Sequence, residues 1–184
     1  MITNADSTYV ALLRGVNVGG KNGLPMPDLT AMFTLAGCEF VETYIQSGNV
    51  VFKTDSVLAA RIPALIASGI KERFGYRVPM VVRTVEELRD VVKGNPFLST
   101  GVDAKRFHVA FLTDVPESDD VAQLDPDHSP PDAFQVRGRE IFLYCPNGLA
   151  RTKLTNHYFD SKLATTCTIR NWRTVLTLLE MADS

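Results

Sequence analysis

Cysteine is scarce in this chain and poorly placed for chemistry. Cys38, Cys145 and Cys167 are the only three in 184 residues. Their number is odd, their spacing is wide and no C-x-x-C pair occurs, which excludes a paired-cysteine redox motif and a cysteine zinc site. They read as small buried thiols in a reducing compartment. Histidine is equally thin: His108, His128 and His157 lie far apart, without an H-E-x-x-H pattern, so no metal and no cofactor is expected. Positive charge is not in excess. Nineteen Lys and Arg face 21 Asp and Glu, for a net charge of −2, so no global field draws in nucleic acid, although a local basic cleft stays open. No apolar run approaches the roughly 18 residues of a membrane span. The polar start, Met1 to Asp6, lacks the charged-then-apolar order of a signal peptide. These absences point to a cytoplasmic protein. What is plentiful is ordinary: a 45% hydrophobic and 22% charged chain can bury one sizeable core or two smaller ones.

The most informative stretch is the run from Tyr9 to Asn22, in which an apolar strand enters a glycine-rich loop bearing Arg14 and Lys21. Gly15 to Asn22 reads G-x-x-x-x-G-K-N, one residue away from a phosphate loop. Asn22 stands where a hydroxyl residue would hold Mg²⁺, and Pro25 and Pro27 delay the next helix, so the match argues against nucleotide hydrolysis. Glycine here serves loop geometry alone, or it lets backbone N–H groups converge on an anion with help from the two cations.

Periodicity organises the rest. Strand 8–14 is followed by a helix over 28–36, strands over 40–46 and 49–53 around a Ser47-Gly48 turn, a helix over 57–74 and a strand over 77–83. In the long helix Leu58, Leu65, Ile66, Ile70 and Phe74 make the inner stripe, and Pro63 predicts a late start or a kink. The order βαββαβ is the ferredoxin-like unit. Thr84-Val85-Glu86-Glu87 is a capping box opening a helix over 85–93, and 94–104 reads as a boundary loop. The second half repeats the order. It has strands over 106–113, 133–137 and 140–145, helices over 117–124 and 155–164, an extended piece near 165–169, and a last helix over 171–181 with Trp172, Val175, Leu176 and Leu179 inward. The fold class is therefore α+β, with two ferredoxin-like subdomains of antiparallel sheet. The first covers 1–84, a connector 85–104, and the second 105–184.

Three further segments carry polar groups. Gln46-Ser47-Gly48-Asn49 is a hairpin turn that could present amide and hydroxyl groups, but no G-x-S-x-G elbow makes Ser47 a nucleophile. Pro146 to Lys153 is a strand-to-helix connection with Arg151 and Lys153, read either as a solvated basic loop or as the second half's counterpart of the first loop. In Thr168 to Thr174, Asn171 or Thr168 can cap the last helix, and Trp172 fits its apolar stripe. Arg170 stands at that helix's N-terminal end, where the dipole disfavours a cation, so it calls for an anionic partner.

Together the strings YVALLRGVNVGGKN (9–22), TYIQSGNVVF (43–52), NPF (95–97), PNGLARTKLTN (146–156) and TIRNWRTV (168–175) resemble, in order, the bacterial domain-of-unknown-function family numbered 1697. The resemblance implies two soluble α+β subdomains and no established activity, cofactor or catalytic residue. It marks Arg14, Asn17, Gln46, Ser47, Asn49, Asn95, Lys153, Arg170, Asn171 and Trp172 as motif positions. Ala150 stands where the family commonly has Ser, and His157 where it has a small residue, which argues against a role for either.

The expected function is binding of a small anionic ligand, phosphorylated or nucleotide-like, in a cationic cleft formed by loops of both halves. Arg14, Asn17, Lys21, Gln46, Ser47, Asn49, Lys153, Arg170 and Asn171 would line it. The alternatives are a metal-independent enzyme acting through Ser47 or Lys153, an RNA-binding sheet displaying Tyr44, Phe107, Phe111, Phe142 and Tyr144, and a protein-interaction module. The charge balance weighs against nucleic acid but leaves it open.

Overall fold

The computed structural model describes residues 7–184; the polar start on which the leader argument rests lies outside the described residues. The first half forms β1 (Ser7–Leu13), α1 (Met26–Leu35), β2 (Glu39–Tyr44), β3 (Asn49–Thr54), α2 (Ser56–Phe74) and β4 (Met80–Thr84). Its antiparallel sheet has the order β2-β3-β1-β4, the ferredoxin-like arrangement. β1 is central because both of its faces are apolar. Ala11 and Leu13 join Val50, Phe52, Leu29, Phe33, Ile62, Ile66 and Ile70 in one core. Val10 and Leu12, which alternate with them, are buried too.

α2 departs from its expected form. It begins at Ser56 and runs through Pro63, because Asp55 caps it by accepting from the N–H groups of Val57 (2.8 Å) and Leu58 (3.0 Å). That cap and the buried stripe outweigh the one backbone bond proline removes. The stripe is Ala59, Ile62, Ile66 and Ile70, and it leaves Leu65 38% exposed. β4 starts at Met80, since Pro79 has no N–H to give a ladder.

α3 (Val85–Gly94) opens with the capping box: Thr84 N–H donates to Glu87 Oε2 (2.8 Å) and Glu87 N–H to Thr84 Oγ1 (3.1 Å). The second half then forms β5 (Phe107–Leu112), α4 (Ser118–Ala122), β6 (Ala133–Arg137), β7 (Glu140–Tyr144), α5 (Asn156–Leu163), β8 (Cys167–Asn171) and α6 (Trp172–Ala182). Its sheet order, β6-β7-β5-β8, repeats the first, around a core of Ala110, Leu112, Ile141, Leu143, Phe159 and Leu163. The repeat extends to single bonds. Leu13 N–H donates to Gly48 O and Leu112 N–H to Arg139 O, both at 2.8 Å. Arg14 N–H donates to Pro79 O (2.9 Å) and Thr113 N–H to Thr166 O (3.0 Å). In α6 the buried stripe is Trp172, Val175, Leu178 and Ala182, and Leu176, expected inward, is 42% exposed.

The chain divides into two compact units. One contains the residues up to Leu88 together with Leu178–Ser184, and the other is Arg89–Thr177, so α3 and α6 each belong partly to both.

Candidate functional site

The residues after β1 fold as a small hairpin of their own. Val18 and Lys21 form a bridge, with Lys21 N–H donating to Val18 O and Asn17 N–H to Asn22 O, both at 3.0 Å. Gly19 (φ 58°) and Gly20 (φ 73°) occupy the two left-handed positions a tight primed turn demands. A phosphate loop would instead run into its helix at the lysine, whereas α1 begins only at Met26. The glycines therefore build a protruding turn that exposes Lys21 at its base.

Asn17 fixes this turn to the β2–β3 connection. Its amide nitrogen donates to Leu24 O and Gln46 O, and its Oδ1 accepts from Leu24 N–H, all at 2.8 Å. The β2–β3 turn spans Ile45 to Gly48, longer than the Ser47-Gly48 pair expected. Gly48 is obligatory: at φ +73°, a Cβ there would lie 2.7 Å from Leu13 Cβ and 2.8 Å from Val16 Cγ2. Asn49 is fully buried and donates to Tyr44 O (3.1 Å) and Ser47 Oγ (2.9 Å). Asn17 and Asn49 thus hold the loops together, with Lys21 and Gln46 exposed beside them and Arg14 half-buried. Ile45 sits at φ +49°, a strained conformation for a β-branched residue, with half of its surface exposed. Backbone strain of this kind collects at functional sites.

A third segment converges here, and sequence reasoning passed over it. The Tyr76 hydroxyl donates to the carbonyls of Asn22 and Gly23, both at 3.0 Å. The next residues, Arg77 to Pro79, meet β1 through the Arg14–Pro79 bond. α2 ends at the same place, capped by Gly75, and Arg73 pairs with Asp28 at 2.6 Å. One end of the first sheet therefore gathers Arg14, Lys21, Lys71, Arg73 and Arg77 against Asp28 and Glu72, on a chain whose net charge is −2. The signal was visible as three cations within Lys71 to Arg77, but the helix C-terminus explains cations there by dipole alone.

The remaining candidates lie in the second unit. Lys153 follows β7, and its N–H donates to Ser129 Oγ (2.9 Å). Its segment is not the counterpart of the first loop. The repeated bonds assign that place to 113–117, and 146–153 leaves its sheet at the other end, where Cys145 N–H donates to Arg106 O (2.9 Å). Arg170 belongs to β8, one residue pair from the strand's end, and its side chain is buried. Its Nη1 donates to Thr168 Oγ1 (2.8 Å) and Ile169 O (3.0 Å), and burial lowers its pKa to about 10. Asn171 caps α6, accepting from Thr174 N–H (2.8 Å). His108 is buried with Nδ1 unpartnered, and burial pushes its pKa down. Burial likewise raises the Cys38 and Cys145 thiols to about 11, which makes them inert. Phe107, Phe111 and Phe142 are buried, so none of the three is displayed for base stacking. Among the described residues no group of three His, Cys, Asp or Glu could hold a metal ion, and no helix is long and apolar enough to cross a membrane.

Comparison with known proteins adds a family and a fold. No curated protein matches the chain. The solved structure of a conserved bacterial protein from Streptococcus pneumoniae is similar in fold, with a TM-score of 0.75 and 24% identity over 97% of this chain and 99% of that one. A family model described as protein of unknown function (DUF1697) matches residues 7–142, and the chain therefore belongs to that family.

Proposed function

We propose that the protein binds a small organic anion, phosphorylated or nucleotide-like, at the cationic end of its first unit. The observation that carries this reading is the Asn17 lock: two hydrogen bonds to Leu24 close the Arg14–Leu24 loop on itself and one, to Gln46 O, holds it against the Ile45–Gly48 turn, all at 2.8 Å. A lock of this kind positions Arg14 and Lys21 before any ligand arrives, which lowers the ordering cost of binding. The exposed Val18 and Ile45 flank the locked contact in sequence and add apolar surface beside the charges.

The test is a thermal-shift titration of wild-type, Arg14→Ala and Lys21→Ala proteins with inorganic phosphate, sugar phosphates and nucleotides. A ligand specific to the folded state stabilises it by about 2.7 kcal/mol at a hundred times its Kd. A concentration-dependent rise in Tm, lost in both variants, is the expected result. Lys153→Ala in the same titration reports whether the second half contributes. A well-folded protein that no anion stabilises defeats the reading.

A further inference from the structure

The last turns of α2 and the segment leading into β4 enclose a groove of about 390 Å³, lined by Ala67, Ser68, Lys71, Arg77, Val78 and Pro79. We infer that this groove is a receptor for a small organic anion that carries an apolar face. The inference rests on the proposed anion-binding role of this end of the unit and assigns it a second, separate set of residues.

Its composition is divided. Ala67, Val78 and Pro79 form an apolar floor, and Ser68, Lys71 and Arg77 supply the polar groups. The floor is fixed. Val78 is 3% exposed and belongs to the core, Pro79 O holds Arg14 N–H, and the Tyr76 hydroxyl pins the segment to the carbonyls of Asn22 and Gly23. The neighbouring Arg73 is neutralised by Asp28, yet Lys71 and Arg77 make no side-chain hydrogen bond or ion pair among the described residues. The helix dipole accounts for a cation at Lys71 in the last turn of α2. It does not account for Arg77, which follows the Gly75 cap. Two cations facing an apolar floor suit a phosphate monoester or carboxylate whose charged end meets Lys71 and Arg77 and whose flat apolar part lies on Pro79 and Val78. A bare inorganic ion would leave the floor wet, and a neutral apolar molecule would leave the cations unused.

Phenyl phosphate is the probe, with phenol and inorganic phosphate as its two halves, titrated into the full chain and followed by calorimetry and amide chemical shifts. The expected result is saturable binding of phenyl phosphate at least about tenfold tighter than either half, with shifts over residues 67–79. Lys71→Ala and Arg77→Ala each weaken it by about tenfold, consistent with one charge-assisted contact apiece, and Lys71→Arg restores most of it. Both side chains are exposed, so the variants keep the wild-type unfolding curve. Phenyl phosphate binding no tighter than phosphate, or unchanged in the Lys71→Ala/Arg77→Ala double variant, overturns the inference. Binding abolished by Arg14→Ala and Lys21→Ala but kept in the double variant also overturns it while leaving the loop reading intact. Binding kept in Arg14→Ala and Lys21→Ala and lost in the double variant supports the groove as a site separate from the loop, whose own reading stands or falls with the thermal-shift titration.

Discussion

At the scale of single residues, the site depends on amides more than on charges. Asn17 holds a left-handed conformation (φ 54°) and uses its whole side chain on backbone groups of Leu24, in its own loop, and Gln46, in the β2–β3 turn. Asn tolerates that conformation better than other non-glycine residues, and its amide is the only side-chain group of its length that both donates and accepts. Asn17→Ala should therefore lower the unfolding free energy by about 3 kcal/mol, about 1 from the backbone and the rest from the lost hydrogen bonds. Asn17→Gly should recover only the backbone part, about 1 kcal/mol. Asn17→Asp keeps the acceptor for Leu24 N–H but places a carboxylate against two carbonyls, and it should be no better than Ala. Urea unfolding of the three variants measures this, and an Ala variant within about 0.5 kcal/mol of wild type would show that the lock contributes nothing. Sequence reading named Asn17 as a ligand contact. A polar residue in a glycine-rich loop looks the same whether it serves a ligand or the loop, and only the partners at Leu24 and Gln46 separate the two.

At the scale of elements, the two hairpins make a controlled pair. Gly48 and Gly138 occupy corresponding turns, both at positive φ (73° and 57°). A Cβ at Gly48 collides with Leu13 and Val16, whereas nothing lies within 4 Å of one at Gly138. Gly138→Ala should cost about 1 kcal/mol, the conformational part alone. Gly48→Ala adds overpacking against the end of β1 and should cost about 3 kcal/mol. Comparable losses in denaturant melts of the two variants would contradict the packing argument. Elements of this kind were largely legible. Alternating and 3.6-residue patterns and the Thr84–Glu87 capping box placed the strands and most helices. The sequence was less legible where two signals competed. Asp55 started α2 in spite of Pro63, and Ile62 rather than Leu65 set the buried face. In α6, Leu178 rather than Leu176 was buried because leucines at 176, 178 and 179 permit more than one helical phase. Tyr76 was missed because a tyrosine just after a helix carries no pattern, and its function lies in two carbonyls more than fifty residues away.

At the scale of the whole molecule, internal duplication supplies its own comparison. Both sheets have the same order and the same closing bonds at the end where the first connection leaves. The first unit fills that end with the long loop 14–25 and its cations, whereas the second closes it with the short connection 113–117, which leads into Asp119 and Asp120 of α4. A requirement common to the fold would appear in both, so the cationic loop is an addition to the first unit. The duplication is not a simple tandem, because Leu178–Ser184 belong to the first unit although residues 89–177 form the second. α6 thus ties the chain's last turns to its first strands. Leu178 is 1% exposed, and Leu178→Ala should cost about 2–5 kcal/mol. Its placement predicts where that loss appears. Amide exchange should accelerate in β1 and β3 of the first unit before it does in β5 and β7 of the second. Faster exchange confined to β5 and β7 would mean that the last turns of α6 stabilise the second unit rather than the first.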